Sequence, residues 1–269
     1  MSDPGLLVVK LGGGDGLDLG TACDDLAAIA RTRPLVVAHG VSAMMDRLCA
    51  ASGIEVQTLT SPSGHSSRYT PPGIRDIYVR AAETANDLLV SALRERQVSA
   101  VGFVGDDVAL SGRRKAAIRA VLNGRTRVVR DDHSGSITSV DSALLLEALQ
   151  RDEAPVLPPM ARSSDGLLNV DGDRAAAAVA GSLSAEALVI LSNVGGLYRN
   201  FPDESTIVDE MPFSQIKNAL DWAQGRMKRK VIAAQEALAQ GVNRVIVADG
   251  RVANPVSRAL SGAGTRFVA

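Results

Sequence analysis

The sequence predicts an α/β fold in which helices cover both faces of an open, mostly parallel β-sheet. Short apolar runs rich in valine and leucine alternate with longer segments of helical periodicity. Most of these runs end in a short turn of small or polar residues before the next helix begins, as in repeated βα units. At 269 residues the chain is long enough to bury a large core, in one domain or in two lobes.

The composition excludes several classes of function. Charged residues make up 22% of the chain, aromatic residues 3%, and the formal net charge is −1. This balance predicts neither nucleic-acid nor membrane binding, and the few aromatic rings argue against base stacking. Cys23 and Cys49 form no metal-binding or disulfide pattern. With no signal peptide and no apolar run of about 18 residues, we expect a soluble cytoplasmic protein.

The first predicted strand carries a lysine and a glycine turn. Residues Leu6–Val9 are apolar and β-prone, and Lys10 lies at the end of this buried strand. Gly12 and Gly13 follow, and backbone without Cβ atoms lets N–H groups approach an anion closely. A phosphate site is one interpretation, and a tight turn beside an exposed lysine is the other. The lysine precedes the glycines and the Gly-x-Gly-x-x-Gly spacing is missing, so the stretch is neither a P-loop nor a dinucleotide fingerprint.

A second strand-to-helix corner follows the helix that is expected over residues 19–32. Residues Leu35–Ala38 form a buried strand, and another helix is predicted from Met44 to Ala51. The turn between them consists of His39, Gly40, Val41 and Ser42. Free N–H groups at the start of the second helix can bind a carboxylate or a phosphate. His39 is either a catalytic base or, as is more usual for a lone histidine, a structural hydrogen-bonding residue.

Residues 60–73 are predicted to form a polar loop or hairpin in which Arg68 is the one long cation. A guanidinium there suits a bidentate contact with a carboxylate, and an ordinary exposed arginine is the alternative. The apolar spacing then predicts a long helix over residues 74–96 and a strand over residues 100–104.

The most uneven distribution of charge lies between residues 113 and 130. Seven basic residues occur there without an acidic one: Arg113, Arg114, Lys115, Arg119, Arg125, Arg127 and Arg130. The pair Asn123-Gly124 is typical of a hairpin turn, so we expect the cations to lie along a short β-ribbon. A solvated face is the ordinary explanation. Seven cations in a nearly neutral chain favour an acidic partner or substrate instead.

Asn169, Asp171 and Asp173 precede or open the helix that is predicted over residues 174–183. Both aspartates favour the positive end of that helix, and the amide of Asn169 can donate to a carboxylate or phosphate. N-capping accounts for one aspartate, but two aspartates and an asparagine exceed that need. A helix over residues 142–149 and a strand over residues 154–157 are expected before this cluster.

The C-terminal third contains another strand-to-turn corner and a basic helix start. The strand Ala187–Leu191 is followed by Ser192, Asn193, Val194, Gly195, Gly196, Leu197 and Tyr198. Residues 211–222 are predicted to be helical. Four cations lie within Gly225–Lys230 at the start of the next helix, where they oppose the helix dipole unless an anion lies nearby. A core strand over residues 245–248 and a short final strand complete the sheet. The strand ends at residues 10, 39, 105, 193 and 249 should lie at one edge of this sheet, where folds of this kind bind ligands.

Together these segments resemble the amino acid kinase superfamily, in its acetylglutamate kinase branch. The matching pieces are Val9-Lys10-Leu11-Gly12-Gly13, His39-Gly40, Ser67-Arg68, Asn169-Val170-Asp171-Gly172-Asp173, Leu191-Ser192-Asn193-Val194-x-Gly196-Leu197, Gly225-x-Met227-x-x-Lys230 and Gly262-x-Gly264-Thr265. The resemblance implies a three-layer αβα sandwich that phosphorylates a carboxylate with MgATP. It also implies an amino-acid site and dimer contacts in an N-terminal lobe, residues 1–183, and ATP binding in a C-terminal lobe, residues 184–269.

The resemblance also implies a role for each matching residue. Lys10 and Lys230 would hold the phosphoryl oxygens, and Asp173 would orient both lysines. The nucleotide would also contact Gly12, Gly13, Ser192, Asn193, Gly196, Leu197 and Tyr198. The amino-acid substrate would contact Gly40, Val41, Ser42, Arg68 and Asn169. Mg²⁺ would be held largely by phosphate and water, so no set of protein metal ligands is expected.

Within that branch the chain is similar to the kinases of lysine biosynthesis through α-aminoadipate, in which a small acidic carrier protein, LysW, blocks the substrate's amino group. The basic ribbon points there, with Arg113, Arg114, Lys115 and Arg119 as the expected docking residues. Val41 and Ser42 also replace the run of glycines usual in acetylglutamate kinases. Carrier-linked glutamate, free acetylglutamate and a non-catalytic sensor stay open as alternatives, and the resemblance implies a homodimer.

Overall fold

The computed structural model describes residues 4–14, 16–62, 66–122 and 125–269. The strands are β1 (Leu7–Leu11), β2 (Leu35–His39), β3 (Thr58–Thr60), β4 (Ser66–Arg68), β5 (Ala100–Gly102), β6 (Leu110–Arg114), β7 (Ile118–Leu122), β8 (Arg125–Val129), β9 (Gly135–Val140), β10 (Ala154–Leu157), β11 (Met160–Ser163), β12 (Gly166–Asn169), β13 (Ala187–Ser192), β14 (Glu210–Pro212), β15 (Arg244–Asp249) and β16 (Thr265–Val268). The helices are α1 (Leu19–Ala30), α2 (Ser42–Ala51), α3 (Pro72–Arg94), α4 (Ser142–Gln150), α5 (Gly172–Ser182), α6 (Ile216–Trp222), α7 (Arg226–Ala239) and α8 (Pro255–Leu260).

The central sheet has the strand order β14-β16-β15-β13-β1-β2-β10-β5. Its neighbouring strands run parallel except for the antiparallel pair β15–β16. β1 lies in the middle, with Lys10 in register with Ile190 of β13 on one side and Ala38 of β2 on the other. The ends of β1, β2, β13 and β15 therefore share one edge, as the sequence predicted.

Helices cover both faces of this sheet, so the predicted α/β sandwich is confirmed. On one face the core contains Val8 together with apolar residues of α4, α5, α6 and α7. On the other it contains Leu7, Val9 and Leu11 together with residues of α1, α3 and α8. Because successive strand residues point to opposite faces, Lys10 lies on the same face as Val8, towards α5.

A smaller sheet and two hairpins lie beyond the edge where the strands end. The smaller sheet has the order β12-β11-β6-β9. The hairpins are β3–β4, which carries Arg68, and β7–β8, which carries Arg119, Arg125 and Arg127. The prediction of one ribbon for all seven cations was therefore wrong in part, because Arg113 and Arg114 lie on β6 and Lys115 and Arg130 lie outside the hairpin strands. The Asn123-Gly124 turn lies outside the described residues, and the strands on either side of it pair from Leu122 and Arg125 outward.

The sequence prediction was wrong in part for residues 211–222. Residues Glu210–Pro212 form strand β14, which pairs with β16 at the sheet edge, and α6 begins only at Ile216. Strands β9, β11 and β12 and the short helix α8 were not predicted, because they are brief and partly polar. Across the described ranges, every helix is too short or too polar to cross a membrane.

Candidate active site

Two lysines and one aspartate meet at the edge where the strands end. Lys10 Nζ, near the end of β1, lies 2.8 Å from Asp173 Oδ1. Lys230 Nζ, near the start of α7, donates to Asp173 Oδ2 at 2.9 Å. The exposed fractions of Lys10, Asp173 and Lys230 are 7%, 7% and 8%. The structure thus brings together the three residues that the sequence analysis assigned to phosphoryl transfer.

The electrostatics of this cluster favour an anion. Burial raises the pKa of Asp173, but the charges of Lys10 and Lys230 outweigh it and hold that pKa well below the usual range. Burial and the charge of Lys10 lower the pKa of Lys230, and Asp173 opposes that shift. Two buried ammonium groups share one carboxylate, so the cluster carries an excess positive charge that a phosphate would neutralise.

The glycine turns after β1 and β2 touch each other. A Cβ built on Gly13 would lie 2.4 Å from the carbonyl carbon of Gly40 and 2.6 Å from the backbone nitrogen of Val41. The turns are also joined by hydrogen bonds from Gly40 N to Leu11 O, at 3.0 Å, and from Ala43 N to Gly13 O, at 2.6 Å. Any side chain at Gly13 would push the two backbones apart.

Val41 and Ser42 lie beside these turns. Val41 is buried in a cluster with Met45 and Tyr78, whereas Ser42 begins α2 and is half-buried. The turn after β2 therefore lies directly against the turn that contains Gly12 and Gly13, and the two predicted anion-binding corners adjoin each other.

His39 is placed as a structural hydrogen-bonding residue, which favours that interpretation of the sequence over a catalytic base. Asn86 Nδ2 donates to His39 Nε2 at 3.1 Å and to Val156 O at 3.0 Å. Nε2 is therefore the acceptor, so the proton lies on Nδ1, which is 3.2 Å from Gly40 O. Burial lowers the pKa of His39 to about 4, which keeps the ring neutral at neutral pH.

Arg68 and Asn169 come together through Thr70, a residue that the sequence analysis did not select. Asn169 Nδ2 donates to Thr70 Oγ1 at 3.1 Å, and the same hydroxyl donates to Arg68 O at 3.2 Å. The guanidinium of Arg68 forms an ion pair of 2.7 Å with Asp46 of α2. The arginine is thus oriented by the carboxylate of Asp46.

The predicted nucleotide segment after β13 packs against the loop before β16. Leu197 N donates to Thr265 Oγ1 at 2.8 Å, and a Cβ on Gly196 would lie 2.6 Å from that oxygen. Ser192 and Leu197 are buried, and Asn193 is exposed. The ring of Tyr198 contacts that of Phe201 in a tilted arrangement, with the ring centroids 5.9 Å apart. The segment shares the sheet edge with Lys10, and the described contacts join it to the Gly264-Thr265 turn, with no contact to either lysine.

The predicted docking cations differ in their surroundings. Arg113, Lys115 and Arg119 are exposed, and among the described residues no carboxylate lies within 4.0 Å of their charged groups. Arg114 instead donates to Asp132 O at 2.8 Å and to Arg130 O at 2.5 Å, and it lies 3.5 Å from Asp165. The guanidinium of Arg114 is therefore already bonded to groups of its own chain.

The hairpin β7–β8 places its cations on both faces. Arg119 pairs with Val128 across the hairpin, and Ala120 pairs with Arg127. Since adjacent strand residues point to opposite faces, Arg119 and Arg127 lie on opposite sides of the ribbon. A single flat partner surface cannot contact all seven cations.

Arg229 is another site residue that the sequence analysis did not select. Its Nη1 lies 3.1 Å from Asp171 Oδ2, and its Nη2 donates to Ser66 O of β4. Asp171 also caps α5 through Oδ1, which accepts from Asp173 N at 3.1 Å and Arg174 N at 3.0 Å. The hydrogen bond from Arg229 to Ser66 joins the start of α7 to the hairpin that carries Arg68. The feature of the sequence that could have identified Arg229 is the excess of cations at the start of α7.

The fold and the paired lysines suit a phosphotransferase, and the comparison with known families identifies the class of protein. The model of the amino acid kinase family matches residues 5–249, so the chain belongs to the amino acid kinase family. The resemblance stated from the sequence motifs is thereby confirmed.

Two similar proteins are [LysW]-aminoadipate kinases. The one from Deinococcus radiodurans is 42% identical over 264 residues, which cover 97% of this chain and 90% of the relative. The one from Thermus thermophilus is 42% identical over 266 residues, which cover 97% of this chain and 99% of the relative. A similar solved structure is that of N-acetylglutamate synthase from Neisseria gonorrhoeae with coenzyme A and N-acetylglutamate, at 27% identity and a TM-score of 0.79. That match covers 98% of this chain and 59% of the synthase.

Proposed function

We propose that this protein uses ATP to phosphorylate the side-chain carboxylate of an acidic amino acid whose amino group is linked to a small acidic carrier protein of the LysW type. The product would be an acyl phosphate, and α-aminoadipate is the preferred amino acid. The observation that carries the phosphotransfer is the placement of Lys10 and Lys230 on the two oxygens of Asp173. The names of the two bacterial relatives and the exposed basic hairpin support the carrier.

The chemistry needs no general base, because a carboxylate is already a nucleophile at neutral pH. Catalysis would then come from positioning and from stabilising the charge on the phosphoryl group. Lys10 approaches from β1 and Lys230 from α7, so two separate elements would hold the migrating group. Asp173 directs both ammonium groups at the same place through its two carboxylate oxygens.

Membership of a kinase family implies ATP as the phosphoryl donor. The N–H groups of Gly12 and Gly13 would contact its phosphates, and residues from Ser192 to Tyr198 would contact the rest of the nucleotide. Mg²⁺ would be held mainly by phosphate oxygens and water, as is usual where it accompanies substrate phosphates. When bound, it would neutralise phosphate charge. We further propose that residues 184–269 form the ATP lobe and residues 1–183 the acceptor lobe.

The acceptor would bind next to the glycine turns. Arg68 and Asn169 would contact the α-carboxylate region of the amino acid, with Gly40, Val41 and Ser42 beside it. The substrate would replace Asp46 as the partner of Arg68, since that ion pair is partly exposed and so contributes little stability.

The carrier would dock on the exposed cations beside the acceptor site. Arg113, Lys115 and Arg119 are free to pair with acidic side chains of a partner, whereas Arg114 would act mainly by fixing residues 130–132. Charge complementarity of this kind speeds association and selects the partner. A free acetylated amino acid would make no use of these cations.

The test is an assay of MgATP turnover with three acceptors: carrier-linked aminoadipate, carrier-linked glutamate and free N-acetylglutamate. We expect acyl phosphate formation, trapped as the hydroxamate, from the carrier-linked acceptor. Turnover of acetylglutamate alone would favour an acetylglutamate kinase, turnover of carrier-linked glutamate would add arginine biosynthesis, and no turnover would favour a sensor. We also propose a cytoplasmic homodimer, which mass measurement in solution would test.

A further inference from the structure

Thr70 is wholly buried beside the proposed acceptor site and has no assigned role. Its exposed fraction is 0%, and its N–H, carbonyl and hydroxyl groups all form hydrogen bonds within the protein. Its backbone N–H donates to Asp132 Oδ2 at 2.8 Å, and its carbonyl accepts from His133 N at 2.7 Å. Its hydroxyl contacts Arg68 O at 3.2 Å and Asn169 Nδ2 at 3.1 Å.

The directions of these hydrogen bonds fix the amide of Asn169. Arg68 O is a carbonyl and can only accept, so the single hydroxyl proton of Thr70 points to it. The same hydroxyl oxygen can then only accept from Asn169, which must present its NH₂ group. One amide proton of Asn169 is used in this contact, and the second is left to donate to a ligand. A rotated amide would set its oxygen against the oxygen of Thr70.

Asp132 holds Thr70 in this position. Its carboxylate is 1% exposed and accepts from Thr70 N at 2.8 Å and from Ser134 N at 2.7 Å. Asn169 N donates to His133 O at 3.0 Å, so the segment after the basic hairpin is joined to both acceptor residues. Arg114, the last residue of β6, donates to the carbonyl of Asp132 at 2.8 Å, which links this support to the strand that precedes the basic hairpin.

We propose that Thr70, held by Asp132, is a positioning residue for acceptor binding. It fixes the backbone of Arg68 and the amide of Asn169 together, so that a guanidinium and one N–H are presented to the same carboxylate. This inference rests on the proposed function of Arg68 and Asn169. Thr70 and Asp132 would touch neither ATP nor acceptor, and their loss should change acceptor binding selectively.

The experiment compares Thr70→Val with Thr70→Ser in steady-state assays in which carrier-linked aminoadipate and MgATP are varied separately. Valine keeps the shape but removes the hydroxyl, and serine restores it. We expect Thr70→Val to raise KM for the acceptor about tenfold or more, the scale of a lost hydrogen bond to a charged group. KM for ATP should change less than about twofold, and Thr70→Ser should return the acceptor KM to within about threefold of wild type.

Thr32→Val is the matched control, because the Thr32 hydroxyl also donates to a backbone carbonyl, Ile29 O at 2.9 Å, at the far end of α1. If Thr70→Val does not fold, Asp132→Asn replaces it, with the neighbouring Asp131→Asn as its control. An unchanged acceptor KM, or an equal rise in KM for ATP, would overturn the proposal.

Failure of the proposed function is a separate result, namely no turnover of carrier-linked acceptor by the wild-type enzyme. The positioning role is then decided by NMR of ¹⁵N-asparagine-labelled protein, with Asn169→Asp used for assignment. Slow exchange of the Asn169 side-chain protons in wild type and Thr70→Ser, but not in Thr70→Val, supports the proposal. Equal exchange in all three overturns it.

Discussion

Lys10 and Lys230 bind opposite oxygens of the same buried carboxylate, that of Asp173, although they come from the first strand and from a helix near the end of the chain. The carboxylate offsets only one of the two charges, so the arrangement is complete only when an anion is present. A purely structural ion pair would need one lysine. The second lysine fits the proposal that both ammonium groups hold a migrating phosphoryl group.

Replacing either lysine tests this relationship directly. We expect Lys10→Ala and Lys230→Ala each to lower kcat by at least about a hundredfold, the scale for losing one preorganised charge donor. Lys228→Ala, at an exposed position of the same helix α7, is the control and should keep normal turnover. Near-normal kcat in either lysine variant would contradict the assigned roles.

Replacing the shared carboxylate should affect stability as well as turnover. Asp173→Asn leaves two buried ammonium groups without a counter-charge, which costs about 3–5 kcal/mol of unfolding free energy. The pKa of Asp173 is lowered in the folded state, so its stabilisation is complete above the unfolded value of about 4 and is lost as the pH falls below it. Urea unfolding at pH 7 and pH 3 should therefore show a larger difference from wild type at pH 7. Equal differences would contradict the ion pairs.

His39 should make the enzyme less stable in mild acid. Its pKa falls from 6.5 to about 4 on folding, so the unfolded chain takes up a proton first as the pH is lowered. The unfolding free energy of wild type should thus lose up to about 3 kcal/mol between pH 6.5 and pH 4 from this residue alone. His39→Gln cannot titrate and should show a shallower pH dependence by that amount. Parallel stability curves for the two proteins would refute the assignment.

The contact between Gly13 and Gly40 leaves no room for a side chain. Gly13→Ala and Gly40→Ala should each lower the unfolding free energy by about 1–3 kcal/mol, the usual cost of overpacking, and displace the N–H groups of both turns. We expect turnover to fall in both variants. Gly73→Ala is the control, because a Cβ there meets no atom within 4 Å. Unchanged stability and turnover in Gly13→Ala would show that the turns are not held together as described.

Much of this site could be predicted from the sequence because its residues follow buried strands or begin helices. Lys10 ends an apolar run, and Asp173 and Lys230 open helices, so local patterns place all three at one sheet edge. Thr70 and Asp132 could not be found this way, since their partners lie far along the chain and their own segments are short and polar. The helix α8 was missed for the same reason: its first N–H groups bind Asp25 of α1, at 2.7 Å from Val256 N and 2.9 Å from Ser257 N.

The exposed cations give the last prediction, which concerns the carrier. Reversing Arg113, Lys115 and Arg119 to glutamate should lower kcat/KM for the carrier-linked acceptor by tenfold or more, roughly the loss expected when steering charges are reversed. The salt dependence of kcat/KM should also flatten, because exposed charges are screened by salt. KM for ATP should not change, since these residues lie outside the proposed nucleotide site. The control reverses three other exposed cations: Arg31, Lys217 and Arg258. Equal losses in the two triple variants would mean that net charge, and not a docking surface beside the acceptor site, governs use of the carrier.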